Sequence, residues 1–255
     1  MINQLYPLCV LLHKEINRIC RIWRQTFIPP IITTSMYFII FGTVFSKKIG
    51  VIEGSRYIDF ITPGLVMLSL VINSFSNVAS SFFLERFYGG VNQLLCAPLS
   101  SFTILTGFVS GGIFRGLLSS LIVIAVAEWF TNIHIAHIGI TLLSLFLTST
   151  LFSLIGLTNA ILAHTFDDLS VVPNFILTPL LYLGGVFYSI HQLPPLWKTL
   201  SLLNPILYIV NTLRFGLLGH ANIDIQYSFA VIIITVISLT YINIWLLKNS
   251  RQLHP

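Results

Sequence analysis

Apolar residues in this chain come in blocks long enough to cross a membrane, about 20 residues each, with short polar stretches between them. The blocks predict six spans, at 28–45, 60–81, 102–127, 138–163, 169–190 and 227–247. Ahead of them lies a segment of different pattern, 6–26. At 100° per residue its Lys14, Arg18, Arg21 and Gln25 share one stripe, and Leu12, Ile16, Ile19, Cys20, Trp23 and Phe27 cover the opposite side. Such a helix lies in the membrane interface, with its basic face toward lipid phosphates. The pair Pro29-Pro30 suits the start of the first span. One apolar run, 171–219, is too long for a single crossing and is cut by Pro173, Pro179, Gly184, Gly185, Pro194, Pro195 and Pro205. Backbone groups in hydrocarbon must be satisfied within the protein. A broken run of this kind therefore predicts a span followed by a re-entrant hairpin, 193–213, packed inside a bundle. The expected fold is an all-α integral membrane protein: one transmembrane domain over 1–255, with six spans, an interfacial helix and a re-entrant hairpin between spans five and six.

Composition agrees. Of 255 residues 55% are hydrophobic and 8% charged, against about 25% charged in soluble domains, so the chain cannot cover a water-facing surface. The net charge of +5 is no nucleic-acid signal. Its basic residues are scattered except near the N-terminus, where membrane lipid is the expected partner. With both termini cytoplasmic, the inside receives Lys14, Arg18, Arg21, Arg24, Arg86, Lys248 and Arg251, and the outside Lys47, Lys48, Arg56, Lys198 and Arg214. Cys9, Cys20 and Cys96 form no CxxC pattern and are expected to be small buried hydrophobes.

Candidate chemistry is sparse. Span three carries Gly107, Gly111, Gly112 and Gly116, spaced for close helix approach, with Arg115 among them. An intramembrane arginine must be paired or face water; it either holds the bundle together or stands beside a transport path. His134 and His137 are three apart but lack a third ligand, and read as interfacial histidines. His164, Asp167 and Asp168 read as a turn whose acids cap the next helix. There is no HExxH, GxSxG or GxGD, and no lysine follows a glycine, which excludes a phosphate-cradling GxxxxGK[ST]. No metal or cofactor is expected on this chain. Three functions fit: a permease powered by another chain, a membrane enzyme on lipid-linked substrates using His134, His137 and Glu128, and an ion-coupled carrier. The last two are poorly served, since the catalytic candidates are thin and spans one, four and six lack acids.

Ordered blocks match a known family: YIDFITPGL at 57–65, NVASSF at 77–82, GGIFRG at 111–116, LTPLLYLGGVFY at 177–188, then Leu193-Pro194 and Asn204-Pro205. Over nearly its whole length the chain resembles the membrane subunit of bacterial ABC exporters with type-2 permeases, which export polysaccharide, lipo-oligosaccharide or drugs. The resemblance implies a homodimer in the inner membrane, joined to two cytoplasmic ATPase subunits that bind ATP and Mg. It makes 6–26 a connecting helix and places a coupling helix within 82–100, so Glu85, Arg86, Leu94 and Leu95 become candidate ATPase contacts. Where the family commonly has an acid just before the Leu-Leu pair, this chain has Asn92-Gln93, which leaves apolar docking without that ion pair. The broken segment becomes the outer gate, with Pro179, Tyr182, Gly184, Gly185, Phe187 and Tyr188 as its residues. Tyr182, Phe187 and Tyr188 supply stiff aromatic bulk that can close an aperture or stack on sugars and lipid tails.

Overall fold

A computed structural model describes residues 5–46, 50–97, 99–131 and 135–249, with Asn92 and Leu95 placed by backbone alone. Lys47, Lys48, His134 and Arg251 lie outside the described residues. The helices are α1 (Leu5–Arg21), α2 (Trp23–Ile40, continued by a π-helical turn Phe41–Phe45), α3 (Tyr57–Phe87), α4 (Gly90–Cys96), α5 (Ser101–Phe130) and α6 (Ile138–Leu162). Then come α7 (Phe166–Val171) and α8 (Thr178–Leu183), joined by a π-helical stretch Val172–Leu177, followed by α9 (Pro195–Leu202), α10 (Pro205–Leu218) and α11 (Ile225–Asn249). A two-residue hairpin, β1 (Val51–Ile52) against β2 (Ser55–Arg56), is the one sheet among the described residues. Among the described residues five helical segments are long and apolar enough to cross a membrane: 23–45, α3, α5, α6 and α11. The pair α9–α10 bends by 82°. The protein is an all-α integral membrane protein, and the bent pair overlaps the segment expected as a hairpin, 193–213.

α3 is the hub. Of its most apolar 18 residues 72% are buried, against 17% in α2 and in α11, whose free faces suit lipid or a partner helix. The glycines of α5 explain how tightly the hub is held. A Cβ on Gly116 would lie 1.9 Å from Ser74 Oγ of α3, and one on Gly112 would lie 2.2 Å from Ser153 Oγ of α6 and 2.5 Å from Val78. Gly107 and Gly111 similarly admit Leu11 and Glu15 of α1. The close-approach pattern read from the sequence thus serves two faces at once, one for α1 and one for the hub.

Two expectations need correction. Pro29-Pro30 does not open the first span: α1 ends at Ile22 (φ −99°, ψ 29°), and α2 begins at Trp23 with both prolines inside it. Each proline removes the donor for the carbonyl four residues back, at Gln25 and Thr26. That is tolerable where backbone borders a cavity, and Gln25, Pro29 and Pro30 do line a cleft. The three cysteines are free, as expected, but exposed rather than buried: α1 turns Cys9 and Cys20 away from α5, and Cys96 ends the exposed helix α4.

Candidate functional site

The features outside pure packing fall at three levels of the bundle: the α1 end, mid-depth, and the far end where α3 begins.

At the α1 end, α3 runs past the expected limit of its span, so Phe82–Phe87 of the proposed coupling segment are helical. Gly89, at φ 77°, then turns the chain into α4. Glu85 pairs with Lys14. Arg86 lies over the Phe83 ring at 5.0 Å and donates to the carbonyls of Ala160 (3.0 Å), Ile161 (2.7 Å) and Ala163. These are C-terminal carbonyls of α6, which lack helix donors and favour a cation. Glu85 and Arg86 therefore fix the start of α4 instead of standing free for a partner. Leu94 is half-buried against the core at this end, beside fully buried Val91. The freely exposed bulk here is aromatic, Phe87 and Tyr88 at 63% and 78%, with Phe166 packed against Phe87. Pattern reading missed these rings because they directly follow the charged pair Glu85-Arg86 in a segment of mixed polarity. Nearby, Thr165 and Asp168 form the expected cap of α7. Asp168 accepts from the backbone N–H of His164 (2.8 Å) and Thr165 (2.9 Å), and these bonds hold its carboxyl below the usual range.

The basic stripe of α1 is divided. Arg21 is exposed and Lys14 partly so, but Arg18 points into the bundle. Its Nη2 donates to Glu15 Oε2 (3.1 Å) and to Asn77 O (3.0 Å) and Oδ1 (2.9 Å). Glu15, 1% exposed, also accepts from Ser81 Oγ at 2.5 Å. An ion pair within α1 is thus hydrogen-bonded to α3 and holds the two helices together. The NVASSF block provides two of its partners, Asn77 and Ser81. An acid on the apolar side of an amphipathic helix was the available signal for Glu15.

At mid-depth, Arg115 lines a cavity of about 380 Å³ between α2 and α3, together with Gln25, Thr33, Tyr37, Asn73 and Ser76. Its Nε is buried without a hydrogen-bond partner.

At the far end the sequence after α8 is held by side chains reaching in from elsewhere. Pro173 cannot donate to Leu169 O, which accepts instead from Asn159 Nδ2 (3.1 Å). Asn204 Nδ2 donates to Leu180 O (2.7 Å), Arg214 Nη2 to Gly185 O (2.8 Å) and Tyr57 Oη to Phe187 O (3.2 Å). Broken backbone is sealed by donors from α3, α6 and α10, which meets the rule for hydrocarbon. Gly185 has φ 73°, and Gly64 lets the Val186 backbone approach to within 2.7 Å of where its Cβ would stand. Phe187 stacks on Phe41 and Tyr182 and meets Tyr37 at a tilt, while Tyr182 is 50% exposed. Pro179 is exposed and Tyr188 half-buried. The structure brings five of the six proposed gate residues into one short stretch, Tyr182 to Tyr188, with Pro179 one turn earlier.

Arg214 was expected in an outer loop and is instead 4% exposed. Its guanidinium lies 4.0 Å from the Phe60 ring centroid, and Glu53 is the acid whose charge acts on it. Glu53 accepts from Ser189 Oγ and from Asn222 Nδ2 (2.9 Å). α10, starting after the Asn204 cap, returns Arg214 inward beneath the turn at Gly185. The catalytic alternative gains nothing from the geometry: His137 stacks on Phe215 at 4.9 Å, and Glu128 is exposed at the end of α5. Among the described residues no group of His, Cys, Asp and Glu could hold a metal ion.

A buried hub helix, an attached surface helix at one end and a side-chain-sealed broken segment at the other define a polytopic helical permease. Residues 6–218 match the model of the ABC-2 type transporter family. The chain is 45% identical over 241 residues to the inner membrane transport permease YadH of Escherichia coli K12, covering 94% of each. It is 22% identical over 215 residues to nodulation protein J of Neorhizobium galegae, covering 82% of this chain and 80% of that protein. The putative transport permease ycf38 of Cyanophora paradoxa is 28% identical over 208 residues, 77% of this chain and 69% of the relative. The chain belongs to the ABC-2 type transporter family.

Proposed function

We propose that this protein is the membrane half of an ATP-driven exporter, working as a homodimer in a bacterial inner membrane with both termini cytoplasmic. ATP and Mg would be bound by a separate ATPase subunit. The observation that carries this reading is α3. Its 31 residues, about 46 Å at 1.5 Å per residue, touch Val186 and Phe187 with the first two turns and carry α4 on the last. A partner that displaces Phe87, Tyr88 and α4 therefore moves a stiff rod whose other end seats the broken segment. Rigid-body rocking of this kind is a standard way to turn a local push into distant opening. The family match supports the ATPase partner, and the name of the YadH relative supports the inner membrane. The substrate is amphipathic, a glycolipid, polysaccharide or drug, because the few charges in the spans are a poor match for a highly charged small ion.

The gate is tested by crosslinking. Phe187 is engaged within its own chain, so the exposed Tyr182 is the better position. After Cys9, Cys20 and Cys96 are replaced by serine, Tyr182→Cys should crosslink two copies and arrest substrate efflux from cells, with recovery on reduction. Full efflux with the crosslink complete would place the gate elsewhere.

A further inference from the structure

Arg115 stands 14 residues into α5, a helix of 30 residues, so its Cα lies about 21 Å along a rod of about 45 Å, close to mid-membrane. The sequence has eight acidic residues, and every one of them is described. Glu15 is bound to Arg18 and Ser81, Glu85 to Lys14 and Asp59 to Arg56. Glu53 is held by Ser189 and Asn222 in the far-end turn, and Asp168 caps α7. Glu128, Asp167 and Asp224 stand at or beside helix ends. No side-chain carboxylate in the chain pairs with Arg115: Glu15, packed on Gly111 one turn away, is taken up by Arg18 and Ser81. The charge that acts on it is Arg18, another cation. Around it, Asn73 Nδ2 donates to Ser69 O (2.9 Å) and Thr33 Oγ1 to Pro29 O (2.8 Å). The cavity's other wall is apolar, with Leu65, Leu68 and Ile72.

A half-buried guanidinium without a counter-charge, lining a cavity with both polar and apolar residues, suits an anion carried on an apolar body. We infer that the α2–α3 cavity binds an anionic amphiphile, its phosphate or carboxylate on Arg115 and its tail along Leu65, Leu68 and Ile72. This narrows the substrate class of the exporter reading and rests on it only for the meaning of the site, since binding requires no ATPase.

The test uses the full chain, purified in a neutral maltoside detergent, with native mass spectrometry and calorimetry as readouts. The probes are short-chain phosphatidic acid, phosphatidylcholine with the same chains, and inorganic phosphate. One phosphatidic acid should bind per chain, about tenfold more tightly than phosphatidylcholine, and Arg115→Gln should remove that advantage while Arg115→Lys keeps most of it. Equal binding of the two lipids, or undiminished phosphatidic acid binding by Arg115→Gln, would overturn the site. Inorganic phosphate binding as tightly as phosphatidic acid would overturn the amphiphile. If Arg115→Gln does not fold, Thr33→Phe decides, because Thr33 is exposed and a ring there fills the cavity without entering the core. Unaltered phosphatidic acid binding by folded Thr33→Phe would contradict the inference. Loss of the exporter reading alone, with no ATPase partner found, would leave these binding results standing.

Discussion

Gly116→Leu should leave little folded protein. Even a Cβ at this position would lie 1.9 Å from Ser74 Oγ and 3.3 Å from Ser149 Cβ, so α5 must withdraw from α3 and α6 together. Overpacking a core typically costs 1–3 kcal/mol, and here the obstruction falls on the hub, so a loss of about 3 kcal/mol or more is expected. Thermal melts followed by size-exclusion chromatography would show it as aggregation or a sharply lowered melting temperature. Gly139→Leu is the control, since nothing lies within 4 Å of a Cβ at that position. A normal melt for Gly116→Leu would mean the α3–α5 crossing is looser than described.

Arg214→Met should be the most damaging change at the far end. It removes the donor to Gly185 O and the cation over Phe60, leaving a buried carbonyl unpaired at a cost of about 1–3 kcal/mol. The fault is local: the turn from Gly184 to Ser189 should exchange its amide hydrogens faster, while α5 and α6 stay protected. Arg214→Lys should recover part of the protection, because an ammonium can reach one carbonyl but cannot lie flat on Phe60. Exchange in this turn unaltered by Arg214→Met would show that Gly64, Tyr57 and Asn204 seat it without help.

The bundle was legible in the sequence wherever the signal was local. Apolar length marked the long helices, the glycine spacing marked the α5 crossings, and Pro194-Pro195 with Asn204-Pro205 marked the two starts of the bent pair. The Pro29-Pro30 pair misled because a proline reports which N–H is missing, not whether a neighbouring cavity lets the helix continue. The charges were less legible. Arg18 and Arg214 both read as surface cations, yet their partners lie 59 and 29 residues away, at Asn77 and Gly185. No periodicity carries such a pairing. Arg115 was the converse case: its isolation in an apolar span was visible at once, and the fold added only that no acid comes to meet it. Which side chains the proposed coupling segment exposes was not legible, because it depends on Arg86 reaching the end of α6.

The central claim is that Phe87, Tyr88 and α4 form the seat of an ATPase that drives α3. The direct measurement is affinity purification of the tagged chain expressed from its own locus, with the co-purified polypeptides identified and ATP hydrolysis assayed. The account predicts an equimolar polypeptide carrying GxxxxGK[ST], with ATPase activity in the complex. It further predicts that Tyr88→Asp strips this subunit away while the permease itself melts as before. A tagged chain that purifies folded but alone, or one whose ATPase remains bound and coupled in Tyr88→Asp with Phe87→Asp, would contradict it.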